Sequence, residues 1–227
     1  MTIPYIEQTF IKYHMGKGYI CALVDALHAA PPAADKYTDK IVEKLIKEIG
    51  CAGIISTVSR LYCDLNRAPT RENQAGITEY RKAIHDILDY LQIVDFAKHT
   101  LQTPFLHLSF HGMKDANYGP FAIEIGTQRG KSCSREVRKW FEKKLKSTFS
   151  NISPEMNIVF DRKFKGNESI VSHRFGDTDH YSGYGANFHT FQIELSRTLR
   201  VKYLKETVKI FAGIIAEFQD TFVHPAS

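Results

Sequence analysis

The sequence predicts an α/β protein in a single domain, with a central, mostly parallel or mixed sheet flanked by helices. Three observations carry this. Short apolar, β-rich runs alternate with longer stretches at helical spacing, no repeat or polar linker divides the 227 residues, and chemically useful side chains collect where the apolar runs end. Alternating strands and helices imply a sheet with helices on its faces. Ligands of such sheets bind beyond the carboxyl ends of the strands. The length is ample for a full core, and 43% hydrophobic with 24% charged residues argues against disorder.

Residues 18–27, GYICALVDAL, read as a buried strand that stops at His28 before Ala-Ala-Pro-Pro. Tyr37, Ile41, Leu45 and Ile49 recur every four residues, which predicts a helix over 35–49 closed by Gly50. CAGIISTVS (51–59) is a second strand. Ile77, Tyr80, Ile84, Ile87, Leu91 and Val94 form one apolar stripe and predict a helix over 76–97. PFLHLSF (104–110) and FAIEIGT (121–127) read as strands, the latter alternating with period two. Val137, Trp140, Phe141, Leu145 and Phe149 predict a helix over 133–149. The polar stretch 161–187 reads as a functional loop with a small hairpin. FHTFQIELS (188–196) is a strand, and Leu204, Val208, Phe211, Ile215, Phe218 and Phe222 mark a last helix.

The net charge of +5 suits anionic small substrates. No block of Lys or Arg and no basic-aromatic repeat appears, so neither nucleic acid nor a membrane is an expected partner. Cys21, Cys51, Cys63 and Cys133 form no C-x-x-C pair, and three of them sit in or beside apolar runs. They read as buried, reduced thiols. With no leader, long apolar span or lipidation motif visible, a reducing cytoplasm is the default expectation.

Two histidines each end an apolar run, His28 in LVDALHAAPP and His111 in FLHLSFHGMKD. Imidazole is a common zinc ligand, and catalytic zinc takes three protein ligands. Asp35 and Asp39 lie close enough to His28 in sequence for either to fold back over the strand end as a carboxylate ligand. One terminal histidine alone would read as a loop or cap residue. Glu194 points to the same side of its strand as Gln192 and Thr190. Buried, it needs a partner, and a proton acceptor beside a metal site is one such role. The bland alternative is an edge-strand glutamate, or one paired to Arg197 or Arg200. In SRLYCDLNR, one of Arg60 and Arg67 could hold a substrate carboxylate while the other stabilises an oxyanion, with Asn66 adding a donor and an acceptor and Asp64 orienting an arginine. The alternative there is a surface salt-bridge cluster.

Taken together these stretches resemble the N-formylglutamate amidohydrolase (deformylase) family, which is similar in plan to the zinc carboxypeptidases and aspartoacylases. SRLYCDLNR is similar to the family's Ser-Arg, three residues, Asp-Leu-Asn-Arg signature. LHAA resembles its His-Ser-Gly metal motif with Ala29 and Ala30 substituted, and ADKYTDKIV its Thr-Asp-Trp stretch. SFHGMKD resembles its second metal-histidine motif, HTFQIELSRTLR its Gln-x-Glu strand, and FKGNESIVSHRFG its Phe-x-Gly-Gly to Tyr-Gly loop with Asn167 for the second glycine. The matches run in order from about residue 18 to 200. The resemblance implies a zinc carboxypeptidase-like, hydrolase-type fold and one metallohydrolase domain over 1–227. It implies a zinc-dependent amidohydrolase of N-acyl, such as N-formyl, acidic amino acids. One Zn2+ would sit on His28, Asp35 and His111, with Asp39 the rival to Asp35. Glu194 would be the base, Arg60 would stabilise the oxyanion, and Asn66 with Arg67 would bind the substrate carboxylate. Arg174, in a basic loop with Lys165 and His173, is expected to take a second carboxylate. Carboxypeptidase- or aminoacylase-like hydrolysis of a different acyl group, and a non-catalytic binder on the same fold, are the alternatives. An RNA-binding module has only the sequence pI of about 8.9 in its favour.

Overall fold

The computed structural model describes residues 2–95, 97–177 and 181–225. Strands β1 (Ile6–Glu7) and β2 (Ile11–His14) lead to β3 (Ala22–Ala26), α1 (Thr38–Ile49) and β4 (Ala52–Ser56). Then come α2 (Gln74–Tyr90), the short β5 (Val94–Asp95) and β6 (Thr100–Leu101), β7 (Phe105–Gly112) and β8 (Ala122–Gly126). Helix α3 (Arg135–Phe149), β9 (Asn157–Phe160), α4 (Glu168–Phe175), β10 (Phe188–Leu195), α5 (Arg197–Val201) and α6 (Leu204–Phe218) follow, and a π-helical turn over Gln219–Val223 completes the order. Eight strands form one mixed sheet in the order β1-β2-β4-β3-β7-β10-β8-β9, and β5 pairs with β6 alone. The four central strands β4, β3, β7 and β10 are parallel, while β2 and β8 run antiparallel to their inner neighbours. The expected α/β sheet is therefore present, with the parallel part at its centre.

Period-two alternation divides the central strands into two chemically different faces. On one face Val24, Leu106, Leu108, Phe110, Phe191 and Ile193 join an apolar core under α1, α3 and α6, which includes the stacked rings of Phe141 and Phe191. Residues of the other face begin apolar, with Leu23, Phe105 and Phe188 under α2. They turn polar toward the carboxyl ends: Asp25 on β3, His107, Ser109 and His111 on β7, Thr190, Gln192 and Glu194 on β10. Register places Asp25 and Gln192 on either side of Ser109, and Glu194 beside His111. Every one of these polar residues is buried. An ordinary sheet would spend such positions on hydrophobic packing.

Several elements depart from their expected bounds for local reasons. Helix α2 stops at Tyr90 because Gln92 takes φ 56° and the chain turns to pair β5 with β6, so Val94 continues the apolar stripe from a strand. Phe96, in the expected helix, lies outside the described residues. The stretch read as a hairpin-bearing loop holds a helix instead: the Asn167 side chain accepts from Ser169 N at 2.9 Å and starts α4. Residues 178–180 of that stretch also lie outside the described residues. β1, β2, β9 and α5 carry too few residues for periodicity to reveal them. No helix among the described residues is long and apolar enough to cross a membrane. All four cysteines are free and buried.

Candidate active site

The chain after β3 folds back over the strand end. Asp35 N donates to His28 O at 2.7 Å and Thr38 Oγ1 to Asp35 O at 2.7 Å. Ala33 and Tyr37 take left-handed φ of 66° and 73° on either side of Asp35. Two uncommon backbone conformations bracketing one residue indicate a loop held in place by its contacts. The result brings Asp35 to His28 and His111. His28 Nδ1 and His111 Nδ1 are 3.2 Å apart, and each lies 3.5 Å from Asp35 Oδ2. Asp39, the rival ligand, turns to Lys40 instead, 3.4 Å from its Nζ. It is absent from the group whose ligand-type atoms lie within 4.8 Å of one another, which is His28, Asp35 and His111.

Hydrogen bonding fixes which nitrogens face the centre. Ser109 Oγ donates to Asp25 Oδ1 at 2.6 Å, since a carboxylate only accepts. Its single proton being used, it accepts from His111 Nε2 at 3.1 Å. His28 Nε2 likewise donates to Asp64 Oδ1 at 2.8 Å. Both rings therefore turn an Nδ1 lone pair toward Asp35. Histidines that ligate metals are typically held this way through their other nitrogen. Ligands on a tetrahedral ion with bonds of roughly 2.0–2.1 Å stand about 3.3 Å apart, close to the separations here. The donor set and its spacing fit a divalent ion such as zinc.

Electrostatics agree with that fit. Burial alone would raise the Asp35 carboxyl, but His111 and His28 override it and hold the group well below the usual carboxylate range. Burial opposes protonation of His28, yet Asp35 and Asp64 raise its proton affinity. The same negative field favours any cation at that point. Arg60 answers it in the chain itself: its Nη1 donates to His28 Nδ1 at 2.9 Å, its Nη2 to Asp35 Oδ1, and its Nε to Ala33 O at 2.9 Å.

Glu194 sits beside this group on an interior strand, 6% exposed, which removes the edge-strand alternative. Burial pushes its carboxyl above the ordinary value, with His111 opposing. Gln192 Nε2 donates to Glu194 Oε1 at 3.2 Å, and Asn66 Nδ2 donates to Gln192 Oε1 at 3.2 Å. Arg67 is largely exposed, with one contact at 3.3 Å to Asp64. Asn73 holds this arginine-bearing loop, donating to Asp64 O at 3.0 Å and Ala68 O at 3.2 Å. Across from it, Glu124 accepts from Arg162 N and Phe164 N at 2.7 and 2.8 Å, placing the 163–167 loop. A cleft of about 260 Å³ is thereby lined by His28, Asp35, Arg60, Asn66, Arg67, His111, Lys163, Lys165, Gln192 and Glu194.

Arg174 is not brought there. It lies on α4 and does not line the cleft; its charge acts on Cys133 and His189 instead. A helix where a loop was expected turns it away. His173 is also buried elsewhere, its Nδ1 3.0 Å from Tyr181 Oη. Two residues of the site, Asp25 and Ser109, escaped sequence reading, and Arg200 entered it only as an alternative partner of Glu194. The buried guanidinium of Arg200 donates from Nε to Leu195 O at 3.1 Å, from Nη2 to Met113 O at 3.1 Å and from Nη1 to Lys36 O. These carbonyls lie one or two residues beyond Glu194, His111 and Asp35. Gly112 permits the contact, because a Cβ there would stand 2.5 Å from Arg200 Cζ.

Among known proteins, no family model and no curated sequence matches the chain. Solved structures do. An N-formylglutamate amidohydrolase from Ralstonia eutropha JMP134 superposes with TM-score 0.62 at 14% identity, covering 92% of this chain and 97% of that one. The chain has that fold. A gene product of Agrobacterium tumefaciens gives TM-score 0.52 at 12% identity over 94% and 97% of the two chains. A metallo-carboxypeptidase from Burkholderia cenocepacia gives 0.47 at 14% identity, over 86% of this chain and 54% of its own. The fold expected from the motifs is thus the fold observed.

Proposed function

We propose that the protein is a zinc-dependent amidohydrolase that removes the acyl group from an N-acyl acidic amino acid, acting as one metallohydrolase domain. The observation that carries this is the convergence of His28 Nδ1, His111 Nδ1 and Asp35 Oδ2 beside a buried glutamate. His28, Asp35 and His111 would hold one zinc ion. When bound, such an ion supplies Lewis acidity and makes water acidic enough to attack near neutral pH.

Glu194, its proton affinity raised by burial, takes a proton from the attacking water and returns it to the leaving nitrogen. Arg60 lies across the ligand edges, where negative charge grows on the carbonyl oxygen. Asn66 and Arg67, with Lys163 and Lys165 across the cleft, receive the carboxylates of the amino acid. A non-catalytic binder gains nothing from a glutamate buried at such cost.

The test combines binding and turnover. Zinc titrated into chelator-treated protein should bind with a stoichiometry of one and raise the melting temperature, since a ligand at a thousand times its Kd adds about 4 kcal/mol. Glu194→Gln should keep that binding and lose about two to four orders of magnitude of turnover on N-acylglutamates. Activity within tenfold of wild type would remove Glu194 from the mechanism. Absence of zinc binding would remove the metal centre.

A further inference from the structure

Arg200 is a charged group of the site to which the mechanism above gives no task. The residue is 6% exposed, and among the described residues it makes no ion pair. A buried cation without a carboxylate partner is costly, and an apolar side chain would fill the same space at lower free energy. What it bonds is therefore informative. Its Nε and Nη2 donate to Leu195 O and Met113 O, each at 3.1 Å, and its Nη1 donates to Lys36 O. Leu195 follows Glu194, Lys36 follows Asp35, and Met113 stands two residues past His111. Leu195 O also accepts from Met113 N at 3.0 Å, which extends the ladder between β10 and β7 past the end of β7. Lys36 lies outside that ladder, so the Nη1 bond joins the loop carrying Asp35 to the strand ends carrying His111 and Glu194. Helix α5, which bears Arg200, is itself anchored: Ser196 caps it, and Thr198 N and Oγ1 donate to Asp115 at 3.0 and 2.8 Å. The charges of Asp35, Glu194 and Asp115 support the protonated guanidinium against its burial.

We propose that Arg200 is a positioning residue, whose rigid fork holds the proton acceptor Glu194 and the ligand residues Asp35 and His111 at the mutual placement that hydrolysis needs. The inference rests on the amidohydrolase reading, which gives those three residues their roles. A guanidinium is planar and its N–H groups diverge in fixed directions, so three carbonyls bonded to it are fixed relative to one another. A lysine ammonium delivers its donors from a single atom and cannot stand at the positions of Nε, Nη1 and Nη2 together. The three functional residues come from three separated segments of chain, and a misplacement of about 1 Å between such groups costs about a hundredfold in rate. Gly112 belongs to the same device. A Cβ there would stand 2.5 Å from Arg200 Cζ, 2.7 Å from Nη1 and 2.8 Å from Nη2, so an alanine would push the fork off its carbonyls with the guanidinium still present. Arg200 does not line the cleft of Asn66 and Arg67, so substrate affinity does not depend on it directly.

The test uses Arg200→Lys, Gly112→Ala and the double variant, each studied well below its own melting temperature so that only folded molecules count. Zinc affinity is read by competition with a chelator, and kcat and KM on N-formylglutamate. Arg200→Lys should weaken zinc binding by about 10–100-fold, the usual effect of losing a group that orients ligands. It should lower kcat by about a hundredfold and leave KM little changed. Gly112→Ala, which keeps the arginine, should move both quantities the same way. The double variant should lose no more than the worse single one, because both changes break the same three bonds. A lower melting temperature with zinc affinity and kcat intact would make Arg200 a structural residue only and overturn the proposal. So would a rise in KM that accounts for the whole loss, or losses that multiply in the double variant. If wild-type protein binds zinc but cleaves no N-acylglutamate, the amidohydrolase reading falls, and the drop in zinc affinity alone upholds Arg200 as the residue that places the ligands. If wild type is active and the variants match it, the reading stands and the proposal falls.

Discussion

Two clusters in this molecule contain two histidines and an aspartate each, and β7 supplies one histidine to each, His107 and His111. In the cluster near the cleft, His28, His111 and Asp35 turn three acceptor atoms toward one point. In the cluster beneath it, Asp25 accepts from His107 Nε2 and Tyr80 Oη, both at 2.7 Å, and from Ser109 Oγ at 2.6 Å. His107 Nδ1 meets Thr190 Oγ1 at 3.2 Å, and His173 packs edge-on against the His107 ring. The lower cluster is complete as it stands. In the upper one the acceptors face a single point, and the guanidinium of Arg60 donates to two of the three residues. Residue type therefore does not separate the two clusters; the convergence of acceptor atoms on one point does. Ser109 joins the two, because the bond it gives to Asp25 decides which bond it takes from His111.

The comparison breaks most visibly if the histidines are interchangeable. His111→Ala should abolish stoichiometric zinc binding and leave the fold intact, while His107→Ala should retain zinc and lose stability. Calorimetric titration and urea unfolding on both variants check this, and a swapped outcome would reverse the two roles. Asp25→Asn comes next, at about 3–5 kcal/mol, the usual cost of breaking a buried pair. Burial would raise the Asp25 carboxyl, but His107, Ser109 and Tyr80 hold it below its ordinary value. A depressed folded pKa stabilises above the unfolded value, near 3.9, and that stability disappears as pH falls through the folded value. The gap between wild type and Asp25→Asn should accordingly be full near neutrality and close in acid. A gap that persists unchanged in acid would mean that charge is not its source.

Ser109→Ala sharpens the link between the clusters. It removes the acceptor that fixes the His111 ring, and such outer partners change metal affinity by about 10–100-fold. Unchanged zinc affinity would show that the ring is set by packing alone. The smallest effect should come from Arg67→Lys, which loses the bidentate fork. KM for N-acylglutamates should rise with kcat little changed, because the carboxylate is bound alike in ground and transition states. A fall in kcat at constant KM would move Arg67 to the reacting atoms.

Much of this was legible because the strands advertise it. A charged or polar residue every second position in FLHLSFHG and FHTFQIEL marks one face of each strand, and that face is where His111 and Glu194 stand. Asp25 in ALVDA gives the same signal, though without a motif to draw attention to it. Asp35 was separable from Asp39 only by family resemblance, since the fold-back that chooses between them depends on two left-handed residues, Ala33 and Tyr37. Arg174 was misplaced because α4 is short and its apolar spacing too sparse to distinguish a turn of helix from a loop. Arg200 was read only as an alternative partner of Glu194, because the groups it bonds are backbone carbonyls, which have no residue type.

That guanidinium has a consequence for how the chain is made. Lys36 and Arg200 are 164 residues apart in sequence. A ribosome releases His28, Asp35 and His111 well before the side chain that pins their neighbouring carbonyls emerges. The sheet can assemble from its early strands while the cleft remains geometrically unfinished, and closing so long a loop comes late in folding. An ion taken up by His28, Asp35 and His111 would then be captured after α5 docks rather than during the collapse of the sheet.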